Sequence, residues 1–218
     1  MVNSKESVKQ KIEAVITTGR RFYQPVVDFP QCTGRSIIQF QSRLDAIMNH
    51  NPTANSYLIG GSSNGFNAFQ LVKAGKQVVG VEIGKNDIEF CKLLAEYYNL
   101  DSSNPEFVQD NILNYLRRTD KVFDCALLLM VWHHIFKANS IPQALETMNL
   151  LAHKAKYTYL STRDKPWMKE QLNMTYMDTP EYIINNTEFN YWEEIQIPRK
   201  GNGQPNIAFS LPIWVMWR

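Results

Sequence analysis

The feature that most constrains this chain begins at Asn55. From there short β-rich runs alternate with helical ones. The pattern predicts strands over 56–60, 77–83, 106–109, 122–131 and 156–162, with helices over 66–74, 86–98, 112–116 and 142–153. The strand segments are apolar throughout instead of alternating, as parallel strands covered on both faces must be. Strand–helix alternation of this kind builds right-handed βαβ units and a doubly wound sheet. The rhythm stops after residue 162. Thr179-Pro180 opens a further helix over 179–185, and strands are predicted over 190–197 and 207–217. Only the turn-rich loop RKGNGQPN lies between those two strands, so they pair antiparallel. The expected architecture is a mostly parallel α/β sheet of seven strands, five parallel ones followed by a C-terminal antiparallel hairpin.

The residues before Asn55 do not share this rhythm. A weak helix over 4–18 carries Val8, Ile12 and Val15 at helical spacing, and Pro25 and Pro30 break the chain after it. A second helix over 36–49 has Leu44 and Ile47 on its apolar side and closes at Asn51-Pro52. Two parts are therefore expected: a helical extension over 1–54, acting as a lid, and a sheet unit over 55–218. Hydrophobic residues make up 44% of the 218 and charged residues 20%, enough to build a core and too apolar for a disordered chain. The longest apolar run, residues 125–132, is far short of the ~20 residues of a membrane helix. The polar N-terminus has no signal-like apolar stretch, which leads to the expectation of a cytoplasmic protein with no membrane partner. Cys32, Cys91 and Cys125 are odd in number and widely spaced, which fits a reducing compartment and neither a zinc site nor a disulfide framework. A net charge of +2 and a pI of 8.3 count against a nucleic-acid partner and favour a neutral one. No carboxylate cluster has metal-ligand spacing; Asp124, Asp164 and Asp178 could meet only through the fold.

Four segments of the sheet unit carry chemistry. YLIGGSSNGF, residues 57–66, joins the first strand to the first helix with small residues that let a ligand approach the backbone and the helix N-terminus. Glu82 ends VVGVE twenty-one residues after Gly61, where a strand-tip acid can accept hydrogen bonds from both hydroxyls of a ribose. FVQDNI places Asp110 and Asn111 at the end of the third strand. VFDCALLLMVWHHI, residues 122–135, is a buried strand opening into an aromatic and two histidines. A nicotinamide site fits less well, because no G-x-G-x-x-G can be read across residues 60–65.

In this order and spacing the four segments resemble the class I S-adenosylmethionine-dependent methyltransferases, a Rossmann-like family whose sheet closes with an antiparallel hairpin. The resemblance covers residues 55–153 and the hairpin. It implies that Gly61, Ser63 and Gly65 line the methionine moiety and that Glu82 holds the ribose. It implies further that Asp110, with Asn111 beside it, receives the adenine amino group, and that the segment from Leu129 to Trp132 flanks the cofactor. Two positions depart from the family: Ile59 stands where an acid is usual, and Ser63 where the middle glycine is. A narrower resemblance rests on FYQP at 22–25, QSRLDAI at 41–47 and the aromatic-His-His triplet at 132–134. These look like glycan methyltransferases, namely bacterial O-antigen chain-end enzymes and domains of large-virus glycan-building enzymes. Tyr23, Gln24 and Arg43 of the extension would form a lid over the cofactor, with Arg43 reaching the methionine carboxylate; packing and a solvated charge are the alternative for them. The acceptor would be a sugar hydroxyl at a glycan end, of a deoxyhexose such as rhamnose, and the chain would work fused to or beside a glycosyltransferase.

The implied reaction is an in-line displacement at the methyl of S-adenosylmethionine, leaving S-adenosylhomocysteine. A sugar hydroxyl is a poor nucleophile and gains from a general base. His133 and His134 are the candidates, and on an extended strand only one of two neighbours would face the pocket. His50 and His153 read as surface residues. An RNA or small-metabolite methyltransferase, and a methyltransferase-like binding module without catalysis, are alternatives; Ile59 and Ser63 are the residues that favour the last.

Overall fold

The computed structural model describes residues 5–20, 22–32, 37–138, 140–197 and 211–218. Seven strands form one sheet: β1 (Ser56–Gly60), β2 (Gln77–Glu82), β3 (Glu106–Gln109), β4 (Phe123–Leu129), β5 (Ala155–Ser161), β6 (Tyr191–Ile195) and β7 (Ile213–Trp217). Their order is β3-β2-β1-β4-β5-β7-β6. The first five pair parallel, and β7 pairs antiparallel with both β5 and β6. The expected Rossmann-like sheet and its closing hairpin are therefore present. The loop 199–206 and residues 207–210 of the predicted last strand lie outside the described residues.

The helices follow the expected alternation. They are α1 (Lys5–Thr17), α2 (Ile37–His50), α3 (Phe66–Lys73), α4 (Lys85–Tyr97), α5 (Ile112–Arg118), α6 (Trp132–Ala138), α7 (Ile141–Lys154), α8 (Pro166–Leu172) and α9 (Thr179–Asn186). Successive strand residues point to opposite faces and supply two cores. Leu58, Ala126, Leu128 and Leu160 pack under α5, α7 and α9 through Leu116, Met148, Leu151 and Ile183. Tyr57, Ile59, Leu127 and Tyr159 pack under α2 and α3 through Leu44, Ile47, Ala68 and Leu71. A third cluster joins α1 and the 22–32 stretch to α4 through Ile12, Phe22, Phe29, Phe90 and Leu94. The two helices before the sheet thus serve different surfaces, α1 against α4 and α2 against the sheet itself.

Two elements differ from the sequence expectation. The fourth strand stops at Leu129, because Met130 takes a left-handed backbone (φ 64°) and α6 begins at Trp132. The 162–178 stretch contains α8, started by Pro166 in its first turn, and a short 3₁₀ turn at Tyr176–Asp178. Asp124 sits near the start of β4, at the end of the sheet away from the glycine-rich turn. It accepts from the Asn55 and Ser56 amides and pairs with Lys156 at 2.7 Å, which holds its carboxyl well below the usual carboxylate range. Asp164 accepts from the Tyr176 amide and Asp178 caps Thr175. The three carboxylates therefore have separate structural partners, and no group of three metal-ligating side chains occurs among the described residues.

Candidate active site

A cavity of about 640 Å³ opens at the carboxyl ends of β1, β2 and β4, where open α/β sheets bind ligands. Its walls are Gly61 and Ser63 from the first turn, Glu82 and Ile83 from the second, Asp110 and Asn111 from the third, and the segment from Leu129 to Val131 with both histidines from the fourth. Tyr23 and Gln24 of the extension complete it.

The first turn is shaped for close approach. Gly61 has φ 70°, and a Cβ there would lie 2.6 Å from Val131 Cγ2. Ser63, at the family's glycine position, keeps the left-handed backbone (φ 51°) at which a side chain is strained by ~1–2 kcal/mol. Its amide donates to Glu82 Oε2 at 2.9 Å, and the Gly84 amide donates to Oε1 at 3.0 Å. The acid at the tip of β2 thus holds the turn beside it in place, with its oxygens at the cavity wall. Asp110 is held by Arg118 at 2.7 Å and by the Asn111 amide, and the Asn111 side chain caps α5 by accepting from Leu113. Both still line the cavity.

The extension docks through Gln24, which is 4% exposed. Its amide donates to Asn64 Oδ1 at 3.0 Å, and Asn64 Nδ2 donates back to its carbonyl at 2.9 Å. Its side-chain oxygen accepts from the Phe66 amide at 2.8 Å. That amide is one of the free donors at the start of α3, and no side chain of the turn itself caps this helix. A residue 42 positions away supplies the cap. Arg20 adds a second tether, donating to the Asn86 carbonyl and pairing with Asp87 at the start of α4.

On the opposite wall the turn at Met130 brings both histidines to the cavity, where a continuing strand would have separated them. They sit at successive positions of α6 with ring centroids 4.2 Å apart. His133 is buried, and its Nδ1 lies 3.0 Å from Thr162 Oγ1; His134 is exposed. Burial pushes the His133 imidazole down to about 3, helped by the neighbouring His134, Lys165 and Arg163. Burial also lowers His134, with Lys165, Arg163 and Lys137 adding to it. Both rings are held neutral at pH 7. Lys137 and Arg163 line the cavity as well, so this entrance is locally basic although the chain is near neutral.

Three expected positions lie off the cavity wall. Gly65 begins α3 with φ 87°, and its missing side chain makes room for the Phe69 ring and Cys91. Trp132 opens α6 pointing into the core, 1% exposed against Phe136. Arg43 is buried and donates to Ser161 Oγ at 2.7 Å and to the Leu211 carbonyl at 3.1 Å. Its guanidinium has no carboxylate partner among the described residues; burial lowers it to about 10, against the effect of Tyr23. Of the other histidines, His153 is exposed as expected. His50 is half-buried and bridges Tyr159 (2.8 Å) and Glu193 (2.9 Å), because α2 lies against the sheet.

Comparison with known proteins agrees with this geometry. A family model described as a methyltransferase domain matches residues 58–155, which span the four motif segments apart from Tyr57. Residues 58–155 are a methyltransferase domain, and the sheet that carries it has the fold of class I S-adenosylmethionine-dependent methyltransferases. Two Escherichia coli proteins named O-antigen chain terminator bifunctional methyltransferase/kinase WbdD are 23% and 24% identical over 77% of this chain. The chain spans 24% of the length of these curated relatives. A crystal structure of WbdD superposes with TM-score 0.72 at 18% identity, covering 94% of this chain and 46% of that one. The N-terminal domain of EvdMO1, solved in the presence of SAH and D-fucose, gives 0.66 at 14% identity over 98% of both chains. Magnesium protoporphyrin IX methyltransferase of Synechocystis, with bound SAM, gives 0.57 at 16% identity over 100% and 99%. The cofactor of this chain is S-adenosylmethionine. No described helix is long and apolar enough to cross a membrane.

The residues present fit that cofactor. The Gly61 backbone is open where a Cβ would meet Val131, and the Glu82 and Asp110 carboxylates stand at the tips of adjacent strands. Bound S-adenosylmethionine supplies an already activated methyl group, so the protein's task is to position the acceptor and take up its proton.

Proposed function

We propose that this chain methylates a hydroxyl of a sugar or glycan, with His134 as the general base. The observation that carries the reading is the pair of adjacent histidine rings on the cavity wall opposite the glycine-rich turn. His133 is fixed by Thr162 and too acidic to accept a proton readily, whereas His134 is exposed and can pass its proton to water. In this reading Glu82 holds the ribose and Asp110 the adenine amino group. Tyr23 and Gln24 close over the cofactor, and Arg43, a buried cation without a counter-charge among the described residues, attracts its carboxylate end from behind the wall at Met130, through Ser161. The names of the E. coli relatives, and the D-fucose present with the N-terminal domain of EvdMO1, support a carbohydrate acceptor. Those relatives also join methyl transfer to a kinase, so a larger assembly is part of the proposal.

The test is a methyl-transfer screen over nucleotide sugars, oligosaccharides carrying terminal rhamnose, and RNA. Transfer to a sugar hydroxyl supports the reading, and transfer to RNA alone overturns it. RNA is kept as the second reading because Lys137, Arg163 and Lys165 make the entrance basic. Calorimetry with S-adenosylmethionine and S-adenosylhomocysteine separates both from a binding module: no heat at millimolar ligand would remove any catalytic role.

A further inference from the structure

A second depression lies beside the cavity, between α6, the start of α7 and α8. It has a volume of about 310 Å³ and is lined by Phe136, Lys137, Ser140, Ile141, Trp167 and Gln171. All three helices stand at the ligand end of the sheet, since α6 follows β4 and α8 follows β5. Lys137 lines both spaces, so the depression adjoins the cavity on the side of the two histidines.

The lining is amphipathic in a particular way. Trp167 is half-buried and stacked on Phe136, with ring centroids 5.3 Å apart and planes 18° from parallel. Phe136 is in turn packed on Trp132, so the indole rests on a fixed aromatic column. Ile141 is 41% exposed beside it. Around this apolar surface stand an amide, a hydroxyl and an ammonium. The Gln171 side chain is exposed and has no hydrogen-bond partner among the described residues, nor has Lys137. Ser140 Oγ meets Gln143 Oε1 at 3.2 Å and keeps accepting capacity. A rigid aromatic surface bordered by an amide and an ammonium without hydrogen-bond partners among the described residues, and by a hydroxyl with accepting capacity left, matches a pyranose, which presents C–H faces and equatorial hydroxyls. The volume is at the lower end of small-molecule sites and suits one ring.

We propose that this depression is a second sugar subsite, holding the ring next to the one that is methylated in an oligosaccharide acceptor. The inference rests on the carbohydrate reading of the catalytic site. It assigns to Trp167 and Gln171 the discrimination between a chain end and a free monosaccharide. It also gives a function to the aromatic stretch after β5, which the reaction itself leaves unused.

The test compares matched methyl glycosides of a monosaccharide and a disaccharide, such as rhamnose and rhamnosyl-rhamnose, with wild type, Trp167→Ala and Gln171→Ala. Wild type is expected to prefer the disaccharide in kcat/KM by about tenfold, equivalent to about 1.4 kcal/mol. Trp167→Ala removes that preference while leaving monosaccharide turnover and S-adenosylhomocysteine affinity unchanged. Gln171→Ala, at an exposed position that folding does not need, reduces the preference by about threefold. Saturation-transfer NMR of the disaccharide with S-adenosylhomocysteine present should mark both rings in wild type and only the terminal ring in Trp167→Ala. Equal use of the two acceptors by wild type overturns the subsite and leaves the carbohydrate reading intact. A Trp167→Ala loss of the same size on both acceptors also overturns it, as the mark of a packing role. Transfer to neither glycoside, with transfer to RNA, removes both readings together.

Discussion

The two walls of the cavity are built differently. The cofactor wall presents backbone: the turn after β1 is fixed through its amides, Ser63 donating to Glu82 and Phe66 to Gln24, around the left-handed Gly61 and Ser63. The opposite wall is built from side chains of a short helix and the loop after β5, with His133 tied to Thr162, His134 tilted against it, and Lys137, Arg163 and Lys165 around them. Backbone cradles fix the position of a ligand common to a family, whereas side chains on short helices can be exchanged without disturbing the sheet. Under the proposed function the first wall takes the methyl donor and the second the acceptor.

If this contrast holds, damage on each wall has its own signature. The largest effect is expected from His134→Asn, with turnover down by roughly 10² to 10⁴-fold and S-adenosylmethionine affinity unchanged by calorimetry. Gly61→Ala should do the reverse. Its Cβ would stand 2.6 Å from Val131 and its φ of 70° is strained, so cofactor affinity falls by about 100-fold, read by the same titration. Gln24→Ala should cost about 1–2 kcal/mol in thermal or denaturant unfolding through the lost cap on α3, with a weaker grip on cofactor and little change in acceptor KM. Equal losses of cofactor affinity in His134→Asn and Gly61→Ala would erase the distinction between the walls.

The smallest expected effect concerns pH. His133 in the unfolded chain takes a proton below about 6.5, but in the folded protein only near 3. Between those values the unfolded state binds more protons, so this residue's contribution is whole above pH 6.5 and is lost as pH falls. The melting temperature of wild type should therefore drop more between pH 7 and pH 5 than that of His133→Gln. The acid limb of the activity profile should lie below 6.5, because the His134 imidazole is also lowered.

The cofactor wall was the more legible in the sequence. Its segments are short, local and spaced by the βαβ repeat, so the turn at 61–65, Glu82 and Asp110 could be located from pattern alone. What escaped there was Gly65, whose small size serves Phe69 and Cys91 behind the turn. The acceptor wall was less legible because its decisive event is one left-handed residue, Met130, inside an apolar run with no glycine to announce it. That turn converts the end of a strand into the start of a helix, sends Trp132 to the core and brings both histidines forward. The basic entrance was hidden for another reason: Lys137 is on α6 while Arg163 and Lys165 lie in the loop after β5, and a net charge averages them away.

The reciprocal bonds between Gln24 and Asn64 bear on where this protein can be cut. The change of rhythm at Asn55 suggests a boundary, and a fragment beginning there would keep every strand. It would also leave the Phe66 amide and the Asn64 side chain without their partners, and one side of the ligand site missing. The seam visible in the sequence is therefore not a line of cleavage in the folded molecule. Hydrogen exchange should report residues 22–32 and the turn at 61–66 opening as a single cooperative unit.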